Sequence, residues 1–208
     1  MTAGHAGAGV PRRQVRARYD DDTVTVYQAY PPPIADAALA AGTFVPPFKV
    51  DRMTWIKPSF LWMMYRSGWA TKPDQERVLA VRITRAGFEE ALANSCLSTY
   101  EADICGSHDE WLAAKRSRSV RVQWDPERSL HLTPLPHRAI QVGIGGEMVR
   151  RYLTSWIVDI TDVTAPAHRI CSLVETGRTG DARPHLPLER PYPLEPGIAS
   201  IVGSDDRS

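Results

Sequence analysis

The 208-residue sequence has no apolar run near the ~20 residues that cross a bilayer, and its most apolar stretch, Phe60 to Tyr65, is six residues long. No membrane span is expected. An excess of charge of either sign is also missing: 25 lysines and arginines stand against 24 aspartates and glutamates, a formal net charge of +1. A protein that coats DNA or anionic lipid by bulk electrostatics is disfavoured, while a local basic groove remains open. Cysteine is scarce. Cys96, Cys105 and Cys171 show no CxxC spacing, which fits reduced thiols better than a Cys96–Cys105 bridge and offers no zinc pattern. No two of the six histidines are four apart, so a helical metal site has nothing to be built from and no metal is expected. The Gly143-Ile144-Gly145-Gly146 run lacks the GxGxxG and GxxxxGK[ST] spacings, and no Ser-His-Asp or Cys-His set is legible. Met1 to Gly9 has neither the basic start nor the apolar segment of a secretory signal. A cytoplasmic protein with a disordered N-terminus over residues 1–11 is expected.

What is present suits one globular domain over residues 12–177, with 43% hydrophobic and 24% charged residues. Residues 24–30 alternate as a strand, with Val24, Val26, Gln28 and Tyr30 on one face. Pro31 to Pro33 end it, a short helix runs from Ile34 to Ala41, and Gly42 stops the helix. Met53 to Lys57 is extended. Pro58 and Ser59 then open a helix, Phe60 to Trp69, which is apolar on most of its circumference and is expected to be central, with Leu61, Trp62, Met64 and Tyr65 buried. Val78 to Thr84 reads as a strand, Arg85 to Asn94 as a helix, and Glu110 to Lys115 as a short helix. Strands are expected at Val120–Trp124, Leu130–Thr133 and Arg138–Ile144. A helix carrying Val149, Tyr152, Leu153 and Trp156 follows, then a strand from Ile157 to Ile160 and a last helix capped by Asp162 and ended by Gly177. Residues 178–208 are proline-rich with little apolar patterning and are expected to be an irregular tail.

Several residues suggest chemistry. Lys57 and Ser59 sit at a strand-to-helix junction inside an apolar run, where free N–H groups and the helix dipole favour an anion such as phosphate. The plainer alternative has Ser59 capping the helix, Lys57 snorkelling to solvent and the aromatics forming core. Gln28 shares a face with Val24 and Val26, so its amide is either satisfied within the protein or reserved for a ligand. Arg16 and Arg18, two apart before this strand, suit a diphosphate or simply a solvated face. His137 is a candidate general base, or an incidental loop histidine, and Gln141 can orient a substrate. Trp55 or Trp124 can wall a flat base, and Tyr65 can supply a hydroxyl.

The runs RARYDDDTVTVYQAY, FVPPFKVDRMTWIKPSFLWMMYRSGWATKP and LPHRAIQVGIGGEMVRRYL resemble the bacterial and fungal family called domain of unknown function 4291, over roughly residues 12 to 193. A remoter similarity is to ADP-ribosyltransferase-like domains. Tyr27-Gln28-Ala29-Tyr30 through Gly42 is similar to their opening strand, helix and glycine, Arg77 to Leu92 to a later strand and helix, and Gln123 to Gln141 to their closing motif. Their first strand contacts NAD through a His or Arg, at the position of Gln28 here. Their catalytic Glu has Gln141 as its nearest counterpart by order.

Together these readings lead to an α+β fold: a bent, mostly antiparallel sheet, whole or split in two, around a buried helix. The expected function is a nucleotide-binding transferase that uses NAD or a related nucleotide for ADP-ribosyl or nucleotidyl transfer, with RNA as a candidate acceptor. Lys57, His137 and Gln141 are its candidate catalytic residues; Arg16, Arg18, Gln28, Trp55, Ser59 and Tyr65 are its candidate binding residues. Convergence of Gln28, Tyr65 and His137 to Gln141 on one cleft with Lys57 is expected. The alternatives are a non-catalytic nucleotide- or RNA-binding module and a structural or toxin–antitoxin-type interaction protein.

Overall fold

Alternating apolar residues build the strands first. In the computed structural model, which describes residues 10–205, a two-residue β1 (Arg16–Ala17) precedes β2 (Thr23–Tyr30). Pro32 and Pro33 fall in the first turn of α1 (Pro32–Ala41), where a missing N–H costs nothing, and Gly42 closes that helix in the left-handed region. Then come β3 (Thr54–Ile56), α2 (Phe60–Ser67), β4 (Arg77–Thr84), α3 (Arg85–Ala93) and β5 (Ser95–Leu97). The short α4 (Ala102–Cys105) and α5 (His108–Ser117) lead to the hairpin of β6 (Val120–Arg128) and β7 (Pro134–Ile144). The rest is α6 (Glu147–Arg151), running on as a π-helical turn Tyr152–Trp156, β8 (Ile157–Asp162), α7 (Thr164–Glu175), α8 (Thr179–Ala182), β9 (Arg190–Pro191) and α9 (Pro196–Val202). The disorder expected of residues 1–11 falls almost wholly outside the described residues.

The fold is α+β, with two main sheets. One has the order β2-β4-β8, all antiparallel; the other has β3-β7-β6-β5, antiparallel except for the parallel β5–β6 pair. A third, two-stranded sheet pairs β1 with β9. The main sheets meet where Tyr27 and Lys57 exchange backbone hydrogen bonds of 2.7 and 3.2 Å.

Both faces of β2-β4-β8 are covered. Val24, Val26, Leu79, Val81 and Ile83 face the larger core, which holds Phe88 and Leu92 of α3, Ile140 and Val142 of β7, and Tyr152. Tyr27 and Val78 face the smaller core, with Phe60, Met63 and Met64 of α2 and Ala167 and Ile170 of α7. Helix α2 is thus central, but its buried stripe is Phe60, Met63, Met64 and Ser67, with Trp62 buried to one side. Leu61 is only partly covered and Tyr65 is 38% exposed, against the expectation for both. The helix also ends earlier than its apolar pattern suggests. Gly68 closes it at φ 60°, and Trp69 and Ala70 continue in the left-handed region.

Two other sequence readings are corrected. Leu130–Thr133 is the turn of the β6–β7 hairpin, tied by Leu132 N–H to Ser129 C=O and Ser129 N–H to Thr133 C=O, because its four residues have no strand to pair with. Residues 178–205 include helices and a strand, and Tyr192 and Val202 are wholly buried. The prolines there mislead: Pro196 occupies the first turn of α9, and Pro191 lies in the two-residue edge strand β9. Tyr192 stacks edge-on with Tyr19 and Phe88, and its hydroxyl donates to Glu89. Tyr192→Ala is expected to lower folding stability by about 3–5 kcal/mol, as for other buried aromatics, which chemical denaturation will measure. An irregular tail would show almost no change.

Candidate functional site

The Tyr27–Lys57 pairing places the end of β2 beside the end of β3. In β3, Thr54 and Ile56 turn inward and are buried, so Trp55 takes the opposite face. The Trp55 indole lies across β7 at Gly143, where a Cβ would come within 2.9 Å of its ring and 2.6 Å of the Met53 sulfur. Only glycine fits there. Gly143 of β7 therefore makes room for Trp55.

Beside this junction is a cleft of about 690 Å³. Its lining divides by chemistry. Pro31, Ile34, Phe48 and Trp55 are apolar or aromatic; Lys49, Arg52, Lys57 and Arg66 are cationic; Gln28, Gln75, Gln123 and Gln141 are amides; Asp74 is the one carboxylate. Phe48 packs edge-on against Tyr30, another wall residue, at 5.9 Å between ring centres.

Lys57 does not snorkel. The residue is 6% exposed, and among the described residues its ammonium reaches one acceptor, the Trp55 carbonyl at 3.4 Å. Burial, with the nearby Arg66 adding to it and Asp125 opposing it, brings its pKa down to about 8. An under-satisfied cation at the edge of a cleft is a strong attractor for an anionic ligand. Gln141 is held firmly: its NH₂ donates to Gln123 Oε1 at 2.7 Å and to Asp125 Oδ2 at 2.5 Å, leaving its own oxygen without a hydrogen bond among the described residues. Gln28 is saturated. It donates to Tyr30 Oη (2.8 Å) and Thr54 Oγ1 (2.6 Å) and accepts from the Tyr152 hydroxyl (2.6 Å).

Four of the residues singled out from sequence thus meet at the cleft: Gln28, Trp55, Lys57 and Gln141. The others do not line it. Ser59 caps α2, accepting from Trp62 N–H at 3.1 Å, and turns its own hydroxyl to Glu127 at 2.9 Å. The Phe60 N–H is taken by Glu189 Oε1 at 2.7 Å. The protein's own carboxylates therefore occupy the helix terminus where phosphate was expected, and Lys57 and Ser59 serve separate places. Arg16 belongs to that second place, donating to Gln14 and to the Glu189 carbonyl. Arg18 is exposed, and β1 stops at Ala17 before reaching it, so the two guanidiniums do not form one diphosphate clamp. Tyr65 lies under the Arg128 guanidinium, 3.5 Å from its ring centre, and stacks on Trp62. His137 shares a face of β7 with Gln141 but sits four residues along, where burial and the charge of Arg16 lower its pKa.

Sequence reasoning passed over Thr54, Tyr30, Gln123, Lys49, Arg52 and Arg66. Gln123 carried a signal, since it alternates with the core residues Val122 and Trp124. Lys49 and Arg52 lie between elements, where no periodicity marks them. Among the described residues no group of three or more His, Cys, Asp or Glu is placed to hold a metal ion, and no helix is long and apolar enough to cross a membrane.

Residues 14–192 match the family described as domain of unknown function (DUF4291). The chain belongs to this family. The match takes in every cleft residue of this DUF4291 protein as well as Glu127 and Glu189. A search of curated proteins finds no match.

The carboxylates at the α2 terminus have a measurable consequence. Burial, partly offset by the Phe60 N–H and increased by Glu127, pushes Glu189 up to about 8 from an ordinary 4.5. A carboxyl that holds its proton more tightly folded than unfolded makes stability fall as pH rises between those two values. Glu189→Gln keeps the acceptor for Phe60 and should flatten that fall in denaturation measured at about pH 5 and about pH 8. An unchanged pH slope would show that Glu189 is ordinarily ionised.

Proposed function

We propose that this DUF4291 protein binds a diphosphate-bearing nucleotide, NAD or a close relative, in the cleft between its two sheets and transfers the ADP-ribosyl group, with RNA among the acceptors. The observation that carries this reading is Lys57, a buried and under-satisfied ammonium near Arg66 and hydrogen-bonded to the Trp55 carbonyl, in a cleft that otherwise gathers cations, amides and aromatic walls. Phosphates suit the cations and a flat heterocycle suits Phe48, Tyr30 or Trp55. The similarity to ADP-ribosyltransferase-like domains is supported at one residue, since the polar residue of the first long strand, Gln28, lines the cleft. It departs in chemistry, because the Gln28 amide is fully used inside the protein.

In such a transfer the bond from ribose C1 to the nicotinamide nitrogen breaks. Nicotinamide leaves with the electron pair, positive charge develops on the ribose, and an acceptor hydroxyl attacks C1 and loses its proton. Gln141, braced by Gln123 and Asp125, offers its free oxygen to a ribose hydroxyl, and the Asp125 charge lies close behind it. Catalysis here would rest on positioning and electrostatics. A second reading, nucleotide or RNA binding without cleavage, is favoured by one observation: Asp74 is the only carboxylate lining the cleft, and His137 lies outside it.

Incubation of the purified protein with NAD, ATP and bulk RNA separates the readings. Release of nicotinamide, reduced at least about tenfold by Gln141→Ala, is the expected result. Binding of NAD or ADP-ribose without release of nicotinamide favours the binding module; absence of any nucleotide binding removes both. Affinity for ADP-ribose should fall as pH rises through about 8, where Lys57 loses its proton, and Lys57→Met should both weaken binding and abolish that dependence while leaving thermal stability nearly unchanged.

A further inference from the structure

Three hydroxyls surround the Gln28 amide, and counting their protons fixes what the cleft can offer at this point. Tyr152 is wholly buried, and Gln28 Oε1, 2.6 Å away, is the only hydrogen-bond partner of its hydroxyl among the described residues. The orientation of the amide follows. Turned the other way, it would present N–H to Tyr152 and leave a phenolic proton stranded in the core, a loss of about 1–3 kcal/mol. With Oε1 facing Tyr152, both N–H groups face Tyr30 Oη and Thr54 Oγ1, which must accept them. These two oxygens are 2.9 Å apart, so one hydroxyl donates to the other. Either hydroxyl can be the donor; a phenol is more acidic than an aliphatic alcohol, and on that ground we take Tyr30 to donate to Thr54.

Thr54 Oγ1 then has both lone pairs filled, by Gln28 and by Tyr30. Its own proton is left over. No carbonyl or carboxylate of the described residues accepts it, and both Thr54 and Tyr30 line the cleft. We infer that the Tyr30–Thr54 hydroxyl pair, oriented by Gln28, is a one-way hydrogen-bond donor that selects a flat ring bearing a carbonyl at this end of the cleft. The inference rests on the cleft of the preceding section being the ligand site. Phe48 and Ile34 beside Tyr30 supply the apolar bed for such a ring, whether the carbonyl is a carboxamide or the oxo group of a base. Gln28 is a positioning residue: it touches no ligand and sets the polarity of the two groups that do.

Two fragments test the polarity without requiring a nucleotide: 3-acetylpyridine, whose substituent only accepts, and 3-aminopyridine, whose substituent mainly donates. In ligand-observed NMR titrations the unaltered protein should prefer 3-acetylpyridine by about tenfold, roughly the worth of one neutral hydrogen bond. Gln28→Glu replaces two donors with a carboxylate that accepts from Tyr30, Thr54 and Tyr152, so the pair has only lone pairs left for the cleft and the preference should invert. Gln28→Met frees one lone pair on Thr54 while keeping its proton, and the preference should level. The second variant decides the matter if the first does not fold. Equal binding of the two fragments by the unaltered protein, binding of neither, or a preference that Gln28→Met leaves intact overturns the inference. NAD titrated into the same samples reports separately on the nucleotide reading. Binding of NAD without fragment preference sinks the donor alone, and fragment preference without binding of NAD sinks the nucleotide alone.

Discussion

Two backbone hydrogen bonds between Tyr27 and Lys57 hold the three-stranded sheet to the four-stranded one, and the position of the cleft follows from where they fall. Because strand residues alternate, pairing at Tyr27 and Lys57 directs Gln28 and Tyr30 toward Thr54, and brings Trp55 and Lys57 together on the outer face. A register shift of one residue would send Lys57 toward the core and Thr54 into the open. The same junction explains why an ammonium is buried at all. Its backbone is committed to a sheet bridge, so its side chain has little freedom to reach bulk water.

Around that junction the protein uses its polar side chains in two opposite ways. At the α2 terminus three donors find acceptors within the chain: Ser59 with Glu127, the Phe60 N–H with Glu189, and Arg16 with Gln14 and the Glu189 carbonyl. That arrangement fixes the segment around residue 189 against the central helix and leaves no room for an outside anion. At the cleft the accounts stay open, on the Lys57 ammonium, on the Gln141 oxygen and on one hydroxyl proton of the Tyr30–Thr54 pair. Polar groups left partly unsatisfied cost stability, and the three at the cleft are what make it the candidate site, although other buried polar atoms without a partner, Trp62 Nε1 and Arg128 Nε among them, lie elsewhere.

Period-two alternation made β2, β4 and the inner half of β7 legible from sequence, and with them Gln28 and Gln141, which interrupt apolar faces. Trp55 and Lys57 were legible as polar and aromatic departures at the mouth of a helix. What alternation does not encode is which side of a junction a residue serves. Lys57 and Ser59 are two residues apart, yet one belongs to the cleft and the other to the carboxylates of β6 and the C-terminal segment. Tyr65 was misplaced because a helix apolar on most sides gives no phase, and a cation from β6, Arg128, covers its ring in place of the core. Glu127 and Glu189 passed unnoticed because a carboxylate near a helix start is common on surfaces, and only the three-dimensional packing brings these two into each other's field. The two-residue strands β1 and β9 lie below the length at which any pattern can be read.

That last pair has a consequence for how the chain comes together in time. Arg16 pairs with Pro191, and the Arg13 carbonyl accepts from Asp205 N–H, so segments up to 192 residues apart in sequence close on one another. The central strand β4 must likewise wait for β8, some eighty residues later, before both its edges are paired. Contacts of such sequence separation delay folding, because loop-closure entropy must be overcome before they contribute. During synthesis on a ribosome, the unpaired edge of β4 stays uncovered until β8 emerges, and the apolar wall awaiting Tyr192 until the segment around that residue follows.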